Sequence, residues 1–168
     1  RGLSHLQQHG VEWNALVTLN HSNAEHPLEV YRFLRDECRA RYIQFIPIVE
    51  RLHENGVPFG TAITERSISA RQYGQFLIDV FEEWVRHDIA SVYVQMFDVA
   101  LANWYGEPSG LCVFSKTCGT ALAMEHNGDV YSCDHFVEPA YLLGNIEKTH
   151  LLELVSSEQQ VKFGRDKF

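Results

Sequence analysis

The hydrophobic residues of the first hundred positions fall into short runs separated by polar stretches. Three of these runs, residues 13–19, 42–49 and 91–97, are rich in β-branched and aromatic side chains and predict buried strands. Pro47 lies near the end of the second run, where a proline favours the end of a strand over its centre. The polar residues 20–23 after the first run predict a loop.

Between these runs the apolar residues recur at helical spacing. Pro27 suits the first position of a helix, and the spacing behind it predicts a helix over 27–40. Ser69 and Gln72 form a capping box ahead of a second predicted helix over 70–87. Residues 50–66 have no clear period and predict a long loop. The alternation of strand and helix predicts an α/β fold with parallel strands, too few for a complete barrel.

The pattern changes after residue 98. Asn127-Gly128 between β-prone flanks predicts a tight hairpin, with strands at about 120–126 and 129–133. Residues 151–163 predict a final amphipathic helix. We therefore expect two parts, residues 1–98 and 99–168.

Composition narrows the classes of function. The chain has 168 residues, 45% of them hydrophobic, and a net charge of −8, which gives no general attraction to nucleic acid or to anionic lipid. No apolar run is long enough to span a membrane. The chain has neither an initiator methionine nor a signal pattern, so both ends are expected to be cuts within a longer polypeptide. With four cysteines and no signal, the predicted compartment is the reducing cytoplasm.

Three cysteines carry the candidate chemistry. Cys112, Cys118 and Cys133 lie within 22 residues, and the predicted hairpin folds the last toward the first two. Converging thiolates favour zinc, copper(I) or an iron–sulfur cluster. The fourth ligand stays open among His135, His126, Asp134 and a cysteine beyond Phe168. The alternative is three unrelated buried cysteines, the role that we assign to Cys38 on its helix.

The spacing Cys118-x9-Gly128-x4-Cys133 resembles the opening half of the SPASM domain of radical S-adenosylmethionine (SAM) enzymes. Cys112, six positions earlier, and Asp134, directly after Cys133, narrow the resemblance to the anaerobic sulfatase-maturating enzymes. Residues 111–146 resemble this family most specifically, and Gln44-Phe-Ile-Pro-Ile-Val-Glu resembles one of its late barrel strands.

The resemblance implies a fragment that contains the late strands of a partial (β/α) barrel, followed by the first half of a SPASM domain. Such enzymes oxidise a Cys or Ser of a sulfatase to Cα-formylglycine. Cys112, Cys118 and Cys133 would be ligands of the first auxiliary [4Fe–4S] cluster, and Asp134 would deprotonate the substrate. The full-length parent would also hold SAM with its own [4Fe–4S] cluster, a second auxiliary cluster and an electron-transfer partner.

Two departures limit what the chain could do alone. The Cys-x3-Cys-x2-Cys motif that binds the SAM cluster is absent, and so are the later cysteines of the auxiliary clusters. We therefore expect the fragment alone to be inactive. Residues 47–51 and 95–98 are expected near strand ends that face the SAM or peptide site.

Three other interpretations remain open. The parent could be another SPASM enzyme that modifies a different peptide residue. The chain could instead be a non-catalytic zinc module in which His135 completes a set of three cysteines. Asp134 could simply make a local turn hydrogen bond.

Overall fold

The structure is a computed structural model that describes residues 2–54, 57–108 and 110–167. The chain divides into two compact units, Arg1–Leu101 and Ala102–Phe168.

A three-stranded parallel sheet forms the centre of the first unit. Its strands are β1 (Ala15–Leu19), β2 (Tyr42–Pro47) and β5 (Tyr93–Val94), in the order β1-β2-β5. Ala15 pairs with Ile43, and Tyr42 pairs with Tyr93. The predicted α/β class with parallel strands is confirmed.

Four helices accompany this sheet: α1 (Gly2–Gln8), α2 (Pro27–Arg32), α3 (Ala70–His87) and α4 (Gln95–Tyr105). Pro27 occupies the first turn of α2, as predicted, and a π-helical turn (Phe33–Glu37) continues that helix. α3 begins at the predicted capping box, where the Ser69 hydroxyl accepts a hydrogen bond from the Gln72 backbone N–H.

The core lies between the sheet and α3. Phe45 on β2 meets Phe76 of α3 edge to face, with ring centroids 5.0 Å apart. Burial of aromatic and aliphatic side chains of this size is the main stabilising contribution to such a unit. The side chains that are almost completely inaccessible are Leu19, Tyr31, Phe76, Val80 and Val94.

Two predictions in the first unit are wrong. The stretch 50–66 is not a loop, since it contains the antiparallel pair β3 (Arg51–Glu54) and β4 (Val57–Ile63). Pro58 suggested a loop, but a two-stranded hairpin has only edge strands, on which proline is tolerated.

The third predicted strand, residues 91–97, is also wrong over most of its length. β5 contains two residues, and α4 begins at Gln95. A short apolar run does not distinguish a strand from a buried helical segment. Here the tertiary contact decides, because the Phe97 ring packs 5.3 Å from both Phe81 and Trp84 of α3. Residues 95–98 are therefore the first turn of a helix.

The second unit is built on a small antiparallel sheet. Its strands are β6 (Ala123–Met124), β7 (Asp129–Tyr131) and β8 (Leu142–Asn145), in the order β6-β7-β8. The predicted hairpin is present with shorter strands, and Gly128 in its turn has a φ of +86°. β8 was not predicted. Two 3₁₀ turns, Cys112–Phe114 and Pro139–Tyr141, flank the sheet.

The single final helix predicted over 151–163 is in fact two helices, α5 (Leu151–Val155) and α6 (Glu158–Arg165). The break falls at Ser157, whose hydroxyl accepts a hydrogen bond from the Gln160 N–H and caps α6. The serine hydroxyl takes the place of a helical carbonyl as the acceptor for a backbone N–H, so one helix ends and a new one starts here.

No helix within the described parts of the chain combines the length and apolar character that a bilayer crossing requires.

Candidate metal centre

Cys112 lies at the start of the first 3₁₀ turn of the second unit. Carbonyl groups of this turn converge on one ammonium group. The Lys167 Nζ donates to the carbonyl oxygens of Cys112, of Val113 at 3.3 Å and of Ser115 at 2.7 Å. The conformation of the Cys112 turn is therefore fixed from a residue just beyond the end of α6.

Cys118 is held by the backbone of α6. Its N–H donates to the Gly164 carbonyl oxygen at 2.9 Å. A Cβ built at Gly164 would lie 2.7 Å from the Cys118 carbonyl oxygen, closer than real Cβ atoms come. Glycine at 164 thus permits the close approach of two backbones. Gly119, with a φ of +89°, turns the chain away immediately afterwards.

Cys133 follows β7 and is 8% exposed, the most buried of the four cysteines. The preceding Ser132 is completely buried, and its N–H donates to the Tyr141 carbonyl oxygen at 3.0 Å. The hairpin is further fixed by Asn145, whose amide donates to the Asn127 carbonyl at 2.9 Å and to Asp129 Oδ1 at 3.0 Å. The position of Cys133 therefore depends on the bonds that join β7 and its turn to β8 and to the residue before it.

The side chain of Gln160 joins the Cys118 segment to the Cys133 segment. Its Nε2 donates to the Gly119 carbonyl oxygen at 2.9 Å and to the Ser132 carbonyl oxygen at 3.2 Å. These carbonyls belong to the residue after Cys118 and the residue before Cys133. Cys118 and Ser132 also line one cavity of about 660 Å³.

Burial raises the pKa of the Cys133 thiol, and negative charge on Asp134 or Cys112 would raise it further, whereas the His135 backbone N–H lowers it. A buried thiol with a raised pKa stays neutral unless a cation stabilises the thiolate, so this environment suits a sulfur that is charged only as a metal ligand. The soft donor set of the second unit, three thiols, fits an iron–sulfur cluster or a thiophilic metal ion.

Asp134 and His135 form a compact group with Cys133. The Cys133 Sγ lies 3.2 Å from Asp134 Oδ1 and 3.8 Å from His135 Nδ1, and the last two atoms are 3.5 Å apart. All three ligand atoms lie within 4.8 Å of one another and could hold a metal ion. The side chains of Asp134 and His135 are 67% and 76% exposed, so both are accessible to a second molecule.

The other predicted candidates take no part in this compact group. Cys112 and Cys118 lie outside the compact group. This arrangement is compatible with a cluster of several irons, because the cysteine ligands of such a cluster are further apart than the ligands of a single ion. The side chain of His126 is 94% exposed and lies 3.8 Å from Glu125. Cys38, predicted to be a buried residue on its helix, is half-buried and caps the end of the π-helical turn, where its carbonyl accepts from the Gln7 amide.

Three residues that organise this site were not predicted from the sequence: Gln160, Gly164 and Lys167. In the sequence they are ordinary residues in and after an amphipathic helix. Only the spacing of Gln160 and Gly164, four positions apart on one helical face, could have suggested a shared contact.

Residues 112–168 match the model of the SPASM family, described as an iron–sulfur cluster-binding domain. The serine-type anaerobic sulfatase-maturating enzyme of Bacteroides thetaiotaomicron is 47% identical over 100% of this chain and 42% of its own length. The cysteine-type enzyme of Clostridium novyi is 27% identical over 94% of this chain and 41% of its own length. A solved structure, native anSMEcpe with bound AdoMet, matches with a TM-score of 0.80 at 26% identity, over 96% of this chain and 43% of that one.

Residues 112–168 of the second unit thus belong to the class of SPASM domains, described as iron–sulfur cluster-binding. Within that class, the chain is a homologue of the anaerobic sulfatase-maturating enzymes along its whole length. The resemblance drawn from the sequence is confirmed. The chain spans about two fifths of the length of these relatives.

Proposed function

We propose that the chain is part of a longer radical SAM enzyme that oxidises a residue of a sulfatase polypeptide to Cα-formylglycine. The observation that carries this proposal is the 47% identity to a sulfatase-maturating enzyme across the entire chain. SAM and its [4Fe–4S] cluster would be held by the remainder of the enzyme, which in the relatives makes up more than half of the length.

The second unit would supply the ligands Cys112, Cys118 and Cys133 for an auxiliary [4Fe–4S] cluster. Two features support this role: all three cysteine segments are tied to α6 or to the residues beside it, and Cys133 is buried. When bound, such a cluster supplies an acceptor for one electron at a time. An electron-transfer protein is then the expected partner, and the reducing cytoplasm is the expected compartment.

Asp134 would act as the base that removes the proton from the substrate hydroxyl or thiol. Its carboxylate lies beside the buried Cys133 sulfur, yet most of its surface is open. A base of this kind must reach both the solvent-borne substrate and the redox group, and Asp134 satisfies both requirements. The alternative of a local turn role is less well supported, because the carboxylate contacts a thiol and an imidazole.

The relatives also favour one substrate type. The identity to the serine-type enzyme is 47%, against 27% to the cysteine-type enzyme. We therefore infer that the target residue is serine. Incubation of the enzyme with two sulfatase peptides that differ only in Ser or Cys at the target would test this. Conversion of the cysteine peptide alone would contradict it.

The central experiment replaces Asp134 in the anaerobically purified full-length enzyme. We expect Asp134→Asn to keep its iron and sulfide but to lose formylglycine formation by about 10²-fold or more, since a positioned base contributes about 10² to 10⁴ in rate. Mass spectrometry of the peptide product measures this. Glu147→Gln, at an exposed carboxylate of the same unit, is the control and should keep full activity.

A second candidate function rests on the compact group of Cys133, Asp134 and His135. Three donors this close together suit a single ion such as zinc, and the chain would then be a structural module. Iron, acid-labile sulfide and zinc analysis separates the two. Iron with sulfide that is lost in Cys133→Ala supports the cluster, whereas about one zinc per chain without sulfide supports the module.

A further inference from the structure

Gln160 has an unusual position for an amide side chain. It is 3% exposed, on the buried face of a short helix whose other polar residues largely face solvent. Its Nε2 makes two hydrogen bonds, to the carbonyls of Gly119 and Ser132. Both partners are carbonyl oxygens, which only accept, so the NH₂ end of the Gln160 amide must face them.

The same amide carries an energetic cost. Its Oε1 is buried and has no hydrogen-bond partner within the described residues. A buried, unpaired polar atom is destabilising, and an apolar side chain of similar length would avoid the penalty. The two hydrogen bonds donated by Nε2 must therefore offset the penalty of the unpaired Oε1. This balance implies that the link between the two bonded segments matters to the protein.

What they hold together are two segments that the sheet does not join directly. Ser132 follows β7, whereas Gly119 precedes β6 by several residues and lies outside the strands. Gly164, one turn beyond Gln160, fixes the Cys118 side through the bond from the Cys118 N–H. The amide of Gln160 adds the link from that segment to the end of the hairpin.

We propose that Gln160 is a positioning residue that sets the separation of the Cys118 and Cys133 sulfurs before a cluster binds. This rests on the proposed function, in which both cysteines are cluster ligands. A rigid cluster accepts its ligands only at a fixed spacing, and a preformed spacing lowers the cost of binding. Within the described residues, the Gln160 amide donates to the carbonyls beside the two cysteines and to neither sulfur.

The test is Gln160→Met in the full-length enzyme, which keeps the length of the side chain and removes both donors. The measured quantities are iron and sulfide content after anaerobic reconstitution and the electron paramagnetic resonance spectrum of the reduced clusters. The iron content that Cys133→Ala loses relative to the wild type is the reference for the loss in the other variants. We expect Gln160→Met to lose at least half as much iron, with a changed spectrum in what remains. Gln8→Met, the same change at an exposed glutamine of α1 that has no side-chain hydrogen bond within the described residues, should lose none.

Each outcome decides a different claim. If the wild-type enzyme binds iron and sulfide that Cys133→Ala loses, and Gln160→Met matches the wild type in content and spectrum, the positioning role is overturned and the proposed function stands. If Cys133→Ala loses nothing, the proposed function fails and the positioning role fails with it.

A second measurement needs no variant and is independent of refolding. Nuclear magnetic resonance of the wild-type chain reports how quickly side-chain amide protons exchange with water. We expect those of Gln160 to exchange at least 10-fold more slowly than those of Gln8, which is exposed and has no side-chain hydrogen bond within the described residues. Equal rates would show that the bridge is not formed and would overturn the proposal.

Discussion

The two units of the molecule achieve order in different ways. The first unit packs a parallel sheet against helices around a continuous apolar core, every member of which lies between Leu19 and Phe97. The second unit has strands of two to four residues and few buried apolar side chains, chiefly Val130, Cys133 and Leu154. Besides three half-buried rings that pack together, those of Phe136, Tyr141 and Phe163, the second unit relies on hydrogen bonds from side chains to backbone carbonyls. Gln160, Lys167 and Asn145 donate these bonds.

This difference indicates where each unit obtains its stability. Burial of apolar surface stabilises the first unit regardless of any ligand. A small unit with few buried side chains usually needs a metal or another cross-link to reach comparable stability. The second unit, with few buried apolar side chains and three cysteines, matches that description. A bound cluster would then contribute folding free energy as well as chemistry.

The largest expected effect lies in the core of the first unit. Phe76 is 1% exposed and packs edge to face on Phe45. Phe76→Ala should lower the free energy of unfolding by about 3 to 5 kcal/mol, since it removes buried surface and leaves a cavity. Denaturant unfolding monitored by hydrogen exchange would place the loss in peptides of residues 2–101. Phe33→Ala, at a ring that is 57% exposed, is the control. A loss spread equally over residues 110–167 would break the distinction between the units.

The second-largest effect is expected in the second unit, at Gly164. It tests the contrast between the units, because stability there depends on a close contact between backbones and not on apolar burial. Gly164→Ala places a Cβ against the Cys118 carbonyl oxygen, which belongs to rigid backbone. We expect a loss of about 1 to 3 kcal/mol, the usual cost of overpacking, together with reduced iron binding.

Gly74→Ala provides a matched control for that substitution. Gly74 is in α3, and a Cβ there would meet nothing within 4 Å. Alanine should therefore stabilise the chain by roughly 0.5 to 1 kcal/mol through its helix propensity. If both substitutions changed stability in the same direction, the close approach of α6 to Cys118 would not be the cause.

The two units also differ in how well their sequence predicts them. α3 could be predicted because the capping box and the helical period are both local signals. The hairpin turn at Gly128 and the spacing of the cysteines are local too. Where local signals are ambiguous, tertiary contact decides the outcome: Phe97 lies on a helix only because α3 offers a surface for its ring.

The elements that could not be predicted are those defined by distant partners. β8 is short and is a strand only because β7 pairs with it. The bridge of Gln160 joins residues 41 and 28 positions away, and no pattern in a single sequence reports such a link. The cysteines of the candidate site could therefore be predicted, whereas the side chains that arrange them could not.

The smallest effect tests the polar part of the first unit, a charge network between α2 and α3. Glu83 accepts hydrogen bonds from Arg32 at 3.0 and 2.9 Å and from Arg35 at 3.2 Å. The bond from Arg32, aided by Arg35, holds the pKa of Glu83 down from 4.5 to about 2. Because the folded-state pKa lies below the unfolded one, this pair stabilises the protein fully above pH 4.5 and less as the pH falls toward about 2.

Glu83→Gln should therefore remove part of the acid dependence of stability and leave the rest. Thermal unfolding followed between pH 6 and about pH 2 should show a melting temperature that falls less steeply with acid in the variant than in the wild type. The two curves should converge at the acidic end, because protonated glutamate and glutamine are both uncharged. Glu82→Gln is the control, because Glu82 is on the same helix and its only side-chain partner within the described residues is Arg86, one turn further along. Since an exposed pair contributes little, we expect a smaller effect there. Parallel curves for Glu83→Gln and the wild type would show that the network between α2 and α3 does not respond to acid.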